Sequence, residues 1–181
     1  MAIENELKYV LDGSSKELYH TFTNLPGAEV YEFQQGYLDG YNRLRRSKHK
    51  RTSVSECFFT YKNTVKGQLI EIETAITDDD FEKLWTQVGR TLTKDRVKVP
   101  TSDYIWEIDF FKHKGECYFV MAEVEMPPDQ VEPSVVPDFI TNNLLYAVPR
   151  GDSRFLSKSL TKPDAVQALL KGLRNGKHQS A

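Results

Sequence analysis

Charged residues return along this chain at the spacing of a β-strand, and nothing else in it restricts the possible folds as strongly. Residues 3–8 read Ile-Glu-Asn-Glu-Leu-Lys. Side chains alternate across a strand, so Glu4, Glu6 and Lys8 share one face while Ile3, Leu7 and Tyr9 share the other. The sorting repeats further on. Glu71 and Glu73 oppose Ile70, Ile72, Thr74 and Ile76; Glu107 and Asp109 oppose Trp106, Ile108 and Phe110; Glu123 and Glu125 oppose Val120, Ala122 and Val124. Bases keep the same phase. Arg43 and Arg45 fall together with Leu44 turned away, Lys62 joins Phe58 and Thr60, and Lys94, Arg96 and Lys98 are in register. A last strand is expected to carry Arg154 and Lys158.

Helices are expected only at the joints. Asp12-Gly13 makes a turn, and Ser14-x-x-Glu17 has the form of a capping box opening a short helix to about Asn24. Residues 30–46 are extended, with Gly36 and Asp39-Gly40 as bulge or turn points. Asp78, Asp79 and Asp80 set acids at the positive end of a helix whose stripe is Phe81, Leu84, Trp85 and Val88. Pro127-Pro128 breaks the strand that precedes it, and a short helix is expected over residues 138–146. Pro163 opens a final helix with Val166, Leu169, Leu170 and Leu173 as its stripe.

The 181 residues and formal net charge of -2 fit one domain with no global attraction to nucleic acid or to an anionic membrane. No apolar run approaches the roughly 20 residues of a membrane span, so a cytoplasmic protein is expected. Cys57 and Cys117 lack metal or disulfide spacing and read as ordinary thiols on different sides of the wall, Cys117 facing with Glu123. His20, His49, His113 and His178 have no ligand spacing. The basic run from residue 43 to 51 imitates a nucleic-acid patch, but its phase assigns Arg43 and Arg45 to the charged face.

Acids and bases on that face balance, while the opposite faces are apolar. A closed barrel accommodates this by packing its apolar outside under helices and turning its charged inside to water. Carboxylate pairs supply hard oxygen ligands suited to Mg²⁺ or Mn²⁺, and Arg and Lys supply donors to phosphate oxygens. A metal-chelated polyphosphate needs both. No G-x-x-x-x-G-K-[ST] occurs, so side chains would have to do the gripping.

In this order, Glu4-x-Glu6-x-Lys8, Gln35-Gly36-Tyr37-Leu38, Arg43-x-Arg45, Lys62, Glu71-x-Glu73, Phe81-Glu82-Lys83-Leu84-Trp85, Lys94-x-Arg96, Glu107-x-Asp109, Glu123-x-Glu125 and Arg154-x-x-x-Lys158-Ser159 resemble the CYTH or triphosphate tunnel metalloenzyme superfamily. The resemblance implies an α+β fold, mainly antiparallel β: a closed eight-stranded tunnel with covering helices over residues 1–162, then a C-terminal helix and frayed tail over 163–181. It implies a metal site of Glu4, Glu6, Glu123 and Glu125, with Glu107 and Asp109 in the same set. Glu71 and Glu73 would assist a second metal or the attacking water. Lys8, Arg43, Arg45, Lys62, Lys94, Arg96, Arg154 and Lys158 would cradle the triphosphate, and Tyr37 with Lys62 would match a dyad proposed for hydrolytic members. Two departures stand out: a short connection before Arg43-x-Arg45, and Leu156 where hydrolytic members often carry Lys.

The implied activity is hydrolysis of a linear triphosphate, inorganic tripolyphosphate foremost, by metal-activated water. The alternatives are a class IV adenylyl cyclase making cyclic AMP and pyrophosphate, hydrolysis of a nucleotide or thiamine triphosphate, and a polyphosphate-binding module without turnover. The expected partner is a small triphosphate, with an RNA 5′-triphosphate end the one nucleic-acid option; no membrane partner is expected, and monomer and homodimer stay open.

Overall fold

The computed structural model describes residues 5–38, 42–66 and 68–179. Among these residues nine strands and four helices follow in the order β1 (Glu6–Leu11), α1 (Ser15–Thr23), β2 (Glu29–Tyr37), β3 (Asn42–His49), β4 (Ser55–Val65), β5 (Gln68–Ile76), α2 (Asp78–Trp85), β6 (Arg90–Pro100), β7 (Ile105–His113), β8 (Glu116–Glu125), α3 (Asp138–Thr141), β9 (Leu144–Val148) and α4 (Pro163–Gln179). One antiparallel sheet holds all the strands, in the order β5-β4-β3-β2-β6-β7-β8-β1-β9. No helix is long and apolar enough to cross a membrane among the described residues.

Two faces result from the alternation. On one, Tyr9, Val97, Val99, Trp106, Ile108, Phe110, Val120, Ala122 and Val124 form a core closed by Leu18 and Phe22 of α1 and Ile140 of α3. The same face, at β3 and β4, packs Leu44, Cys57 and Phe59 under Phe81, Leu84 and Trp85 of α2. Thr77 caps that helix by accepting a hydrogen bond from the Asp80 N–H at 3.1 Å. Gly36 is required by this packing. It lies mid-strand in β2, and a Cβ there would meet Val88 at 2.6 Å and Trp85 at 2.7 Å. Helix cover stops short of the sheet edge, where Ile72 of β5 is 59% exposed.

The other face carries the charges, but only at one end. At the opposite end Val10, Leu92, Phe111, Phe119 and Met121 replace them, and Val166 and Leu170 of α4 seat on these together with Phe155 and Leu160. The final helix therefore caps a second apolar core.

Several expectations are corrected. The sheet has nine strands, not eight, and among the described residues no pairing joins β5 to β9, so a closed tunnel is not observed. The segment expected to be helical to residue 146 leaves the helix after Thr141 and pairs its Leu-Leu-Tyr-Ala-Val run with β1. Arg154 and Lys158 lie on no strand. Asp152 accepts from the Arg154 N–H at 3.1 Å and folds residues 153–155 into a 3₁₀ turn, with a second such turn at 159–161. Ser14 takes the N-cap position of α1 without a side-chain cap hydrogen bond. A register shift between Phe111 and Lys112 inserts one residue into β8, which turns Cys117 onto the helix-covered face, away from Glu123. Both thiols are free.

Candidate functional site

A cavity of about 660 Å³ lies on the charged face, and every strand from β1 to β8 contributes to its wall. Its cations are Lys8, Arg43, Arg45, Lys62, Lys94, Arg96 and Lys158, and its carboxylates are Glu6, Glu71, Glu73, Glu107, Glu123 and Glu125. Strand alternation explains why most of them meet, since Glu6 and Lys8, Arg43 and Arg45, Glu71 and Glu73, Lys94 and Arg96, and Glu123 and Glu125 each lie two residues apart on one strand; Lys158 arrives from the turns after β9.

Two clusters divide the wall. In the first, the Arg96 guanidinium donates from Nε to Asp109 Oδ1 at 2.7 Å and from Nη2 to Asp109 Oδ2 at 2.6 Å and Glu123 Oε2 at 2.9 Å, and it also reaches Glu107. Lys94 pairs with the same Asp109, and Lys8 bridges Glu6 and Glu123 at 2.9 Å each. In the second, Arg45 Nη2 meets Glu73 Oε1 at 2.7 Å, Arg43 Nη2 meets Glu73 Oε2 at 3.2 Å, and Lys62 meets Glu71 at 3.2 Å. Phe33 lies between the clusters, its ring centroid 5.7 Å from the Arg45 guanidinium, 5.6 Å from Lys94 Nζ and 5.4 Å from the Arg96 guanidinium.

The fields of these groups set their protonation. Burial alone would push the Glu123 carboxyl up, but Arg96, Lys8 and Lys94 outweigh it and hold the group well below the usual carboxylate range. Burial likewise opposes the charge on Lys8, which Glu123 and Glu6 restore and raise. Burial, then the neighbouring Arg43 cation, lowers Arg45, and burial with Arg96 lowers Lys94. The Tyr37 hydroxyl is pushed up by burial against the opposing pull of Arg43, so it is protonated at neutral pH.

Of the residues expected in the site, Lys8, Tyr37, Arg43, Arg45, Lys62, Glu71, Glu73, Lys94, Arg96, Glu107, Glu123, Glu125, Glu6 and Lys158 line the one cavity. Glu4 lies outside the described residues. Arg154 does not line it: its guanidinium is held by Asp152 at 2.6 Å on the exposed side of the 3₁₀ turn. Asp109 sits behind the wall, fully buried, clamping Lys94 and Arg96 from below. That makes it a holder of cations in this arrangement, not an open ligand.

Side chains passed over in the sequence also matter here. Thr60 is buried with its hydroxyl 2.8 Å from Glu73, and its phase with Lys62 was the available signal. Gln35 donates to Tyr37 Oη at 3.4 Å. Asn5, between Glu4 and Glu6, turns to the other face, where its amide donates to the carbonyls of Pro127 and Gln130 and its oxygen accepts from Arg150 at 2.8 Å. No sequence periodicity marks a contact spanning 145 residues.

A hard dication fits the chemistry of the donors. Glu6 and Glu125 stand directly opposite each other on β1 and β8, both in the lining. Among the described residues no three His, Cys, Asp or Glu side chains converge as a preformed cage. A hard ion bound there would be held by Glu6 and Glu125, with substrate phosphates and water to complete its shell.

No family of known sequences matches the chain, and no curated protein does. Among solved structures it is similar to the PH1012 protein of Pyrococcus horikoshii, with 18% identity, 71% of this chain and 81% of that one covered, and a TM-score of 0.45. The conserved protein Pfu-838710-001 of Pyrococcus furiosus matches at 15% identity over 68% and 80% of the two chains, with a TM-score of 0.43. A Bacillus halodurans protein carrying a provisional adenylate cyclase name matches at 17% identity over 68% and 80%, with a TM-score of 0.41. At such scores the functional reading rests on the cavity's own residues.

Proposed function

We propose that the chain is a CYTH-type, divalent-metal-dependent enzyme that hydrolyses a linear triphosphate, with inorganic tripolyphosphate as the favoured substrate. One observation carries this reading: among the described residues, seven cations and six carboxylates from across the fold converge on a cavity of about 660 Å³. Buried ion pairs are a poor way to stabilise a fold, because desolvation offsets much of their attraction. A polyanion accompanied by a dication accounts for both signs.

In this reading Lys8, Arg43, Arg45, Lys62, Lys94, Arg96 and Lys158 bind and align the phosphate chain and neutralise charge on its non-bridging oxygens as the terminal bond breaks. Asp109 keeps Lys94 and Arg96 aimed into the cavity. Glu6 and Glu125, opposite each other on β1 and β8, would hold Mg²⁺ or Mn²⁺; when bound, such an ion supplies Lewis acidity and lowers the pKa of water. In this reading Glu71 and Glu73 orient a water at the terminal phosphoryl group, and the protonated Tyr37 donates a hydrogen bond to the phosphate chain.

The lining supports an inorganic chain over a nucleotide. Phe33, the buried aromatic of the wall, is already flanked by Arg45, Lys94 and Arg96, which compete with a base for its ring. A nucleotide cyclase is the second reading, favoured by Leu156, which is 50% exposed in the lining and offers a nucleoside an apolar contact. Phosphate release from tripolyphosphate and from ATP, with Mg²⁺, Mn²⁺ or EDTA, tests both when cyclic AMP is measured alongside and Glu6→Gln is the control. Metal-dependent phosphate release from tripolyphosphate, lost in the control, is the expected result. Cyclic AMP without phosphate release would replace the hydrolase by the cyclase.

A further inference from the structure

Glu73 is held as a bound anion would be. Its two oxygens take donors from Arg45 at 2.7 Å, Arg43 at 3.2 Å and the Thr60 hydroxyl at 2.8 Å, three groups from two neighbouring strands that converge on one acceptor. Arg43 also donates to Thr60 Oγ1 at 3.3 Å, which fixes the hydroxyl within the cluster. Thr60 is only 1% exposed, so this is a built position and not a chance surface contact. The cluster has more donors than a carboxylate uses. The Nε atoms of both Arg43 and Arg45 are buried without an acceptor among the described residues, and a buried donor left unpaired is costly unless something completes it. A phosphoryl group has three acceptor oxygens and more charge than a carboxylate, and it suits the planar donor fork of arginine.

We infer that Arg43, Arg45 and Thr60 form a phosphoryl subsite that Glu73 fills while substrate is absent, and that Glu73 thereby selects metal-loaded over metal-free triphosphate. The inference rests on the triphosphate reading of the cavity and deepens it. For a phosphoryl group to enter, Glu73 must leave, and its charge then needs a new partner in a wall where Lys62 is already paired to Glu71. A dication arriving on the phosphate chain is that partner. Without one, Glu73 and the phosphates compete for the same two guanidinium groups and repel one another.

The test is equilibrium binding of inorganic tripolyphosphate, by calorimetry, to wild type, Glu73→Gln and Thr60→Val, each in excess Mg²⁺ and in EDTA. Glutamine keeps the shape and the hydrogen bond to Thr60 while removing the charge. Wild type is expected to bind at least tenfold more tightly in Mg²⁺ than in EDTA. Glu73→Gln is expected to close most of that gap by binding more tightly in EDTA, and Thr60→Val to weaken binding several-fold in Mg²⁺. Thermal melting of each variant without ligand confirms that it is folded. If Glu73→Gln gains nothing in EDTA while wild type binds in Mg²⁺, the stand-in role is wrong and the triphosphate reading survives. If folded wild type binds under neither condition, both fall together.

Discussion

Asp109 is the residue on which most of the buried charge depends. It is fully buried and serves Lys94 and Arg96 together, so Asp109→Ala leaves two cations in the wall with less compensation. Breaking a buried pair from one side costs about 3–5 kcal/mol, and urea unfolding should show a loss of that order. Glu123 provides a second test, through pH. Its folded pKa lies below its unfolded value of about 4.3. Its contribution to stability is therefore fully present above about pH 5 and is lost as pH falls through the folded value. Urea midpoints at pH 6 and pH 3 should fall for wild type by more than for Glu123→Gln; an equal drop in both would show that Glu123 is not a source of the acid sensitivity.

At the scale of elements, α4 and α2 each close a core, and each has a position that exposes its role. Leu170 of α4 is buried against the apolar end of the charged face, and Leu170→Ala should cost about 2–5 kcal/mol in equilibrium unfolding. Unchanged stability with faster turnover would instead make the helix a gate. Gly36→Ala would push a methyl group into Val88 and Trp85, and overpacking of this kind costs about 1–3 kcal/mol, readable as a lower melting temperature. Period-two alternation made β1, β5, β7 and β8 legible in the sequence, because it survives wherever a strand has one wet and one dry face. It carried no information about the insertion at Phe111/Lys112, which reversed Cys117, or about Asp152, whose carboxylate curls residues 153–155 and takes Arg154 out of the cavity. Such features are set by local hydrogen bonding and sheet twist, to which a two-letter apolar and polar pattern is blind. Asn5 and Thr60 were hidden for another reason: their importance comes from partners that only the tertiary fold brings near.

For the molecule as a whole, the cavity is the fold's common product, since eight strands supply its lining. A ligand that neutralises it must act on global stability and not on one loop. Tripolyphosphate with Mg²⁺ at 100 times its Kd should add about 2.7 kcal/mol to unfolding stability, measured as a rise in melting temperature that EDTA abolishes. A rise limited to a local probe, with no shift in the global transition, would break this link between site and fold.

The pairing of β1 with β8 and β9 also has a consequence in time. Lys8 meets Glu123 across 115 residues, and the other edge of β1 meets Leu144–Val148. During translation at about 5–20 residues per second, the first strand therefore waits roughly 6–23 s for its first partner to be made. Through that interval Val10, Leu11 and the rest of β1 have no sheet to join. A ribosome-bound chain stopped before β8 should consequently be open to proteases along β1, while β2 to β7 can already pair with one another, and the charged wall should be completed in a late step.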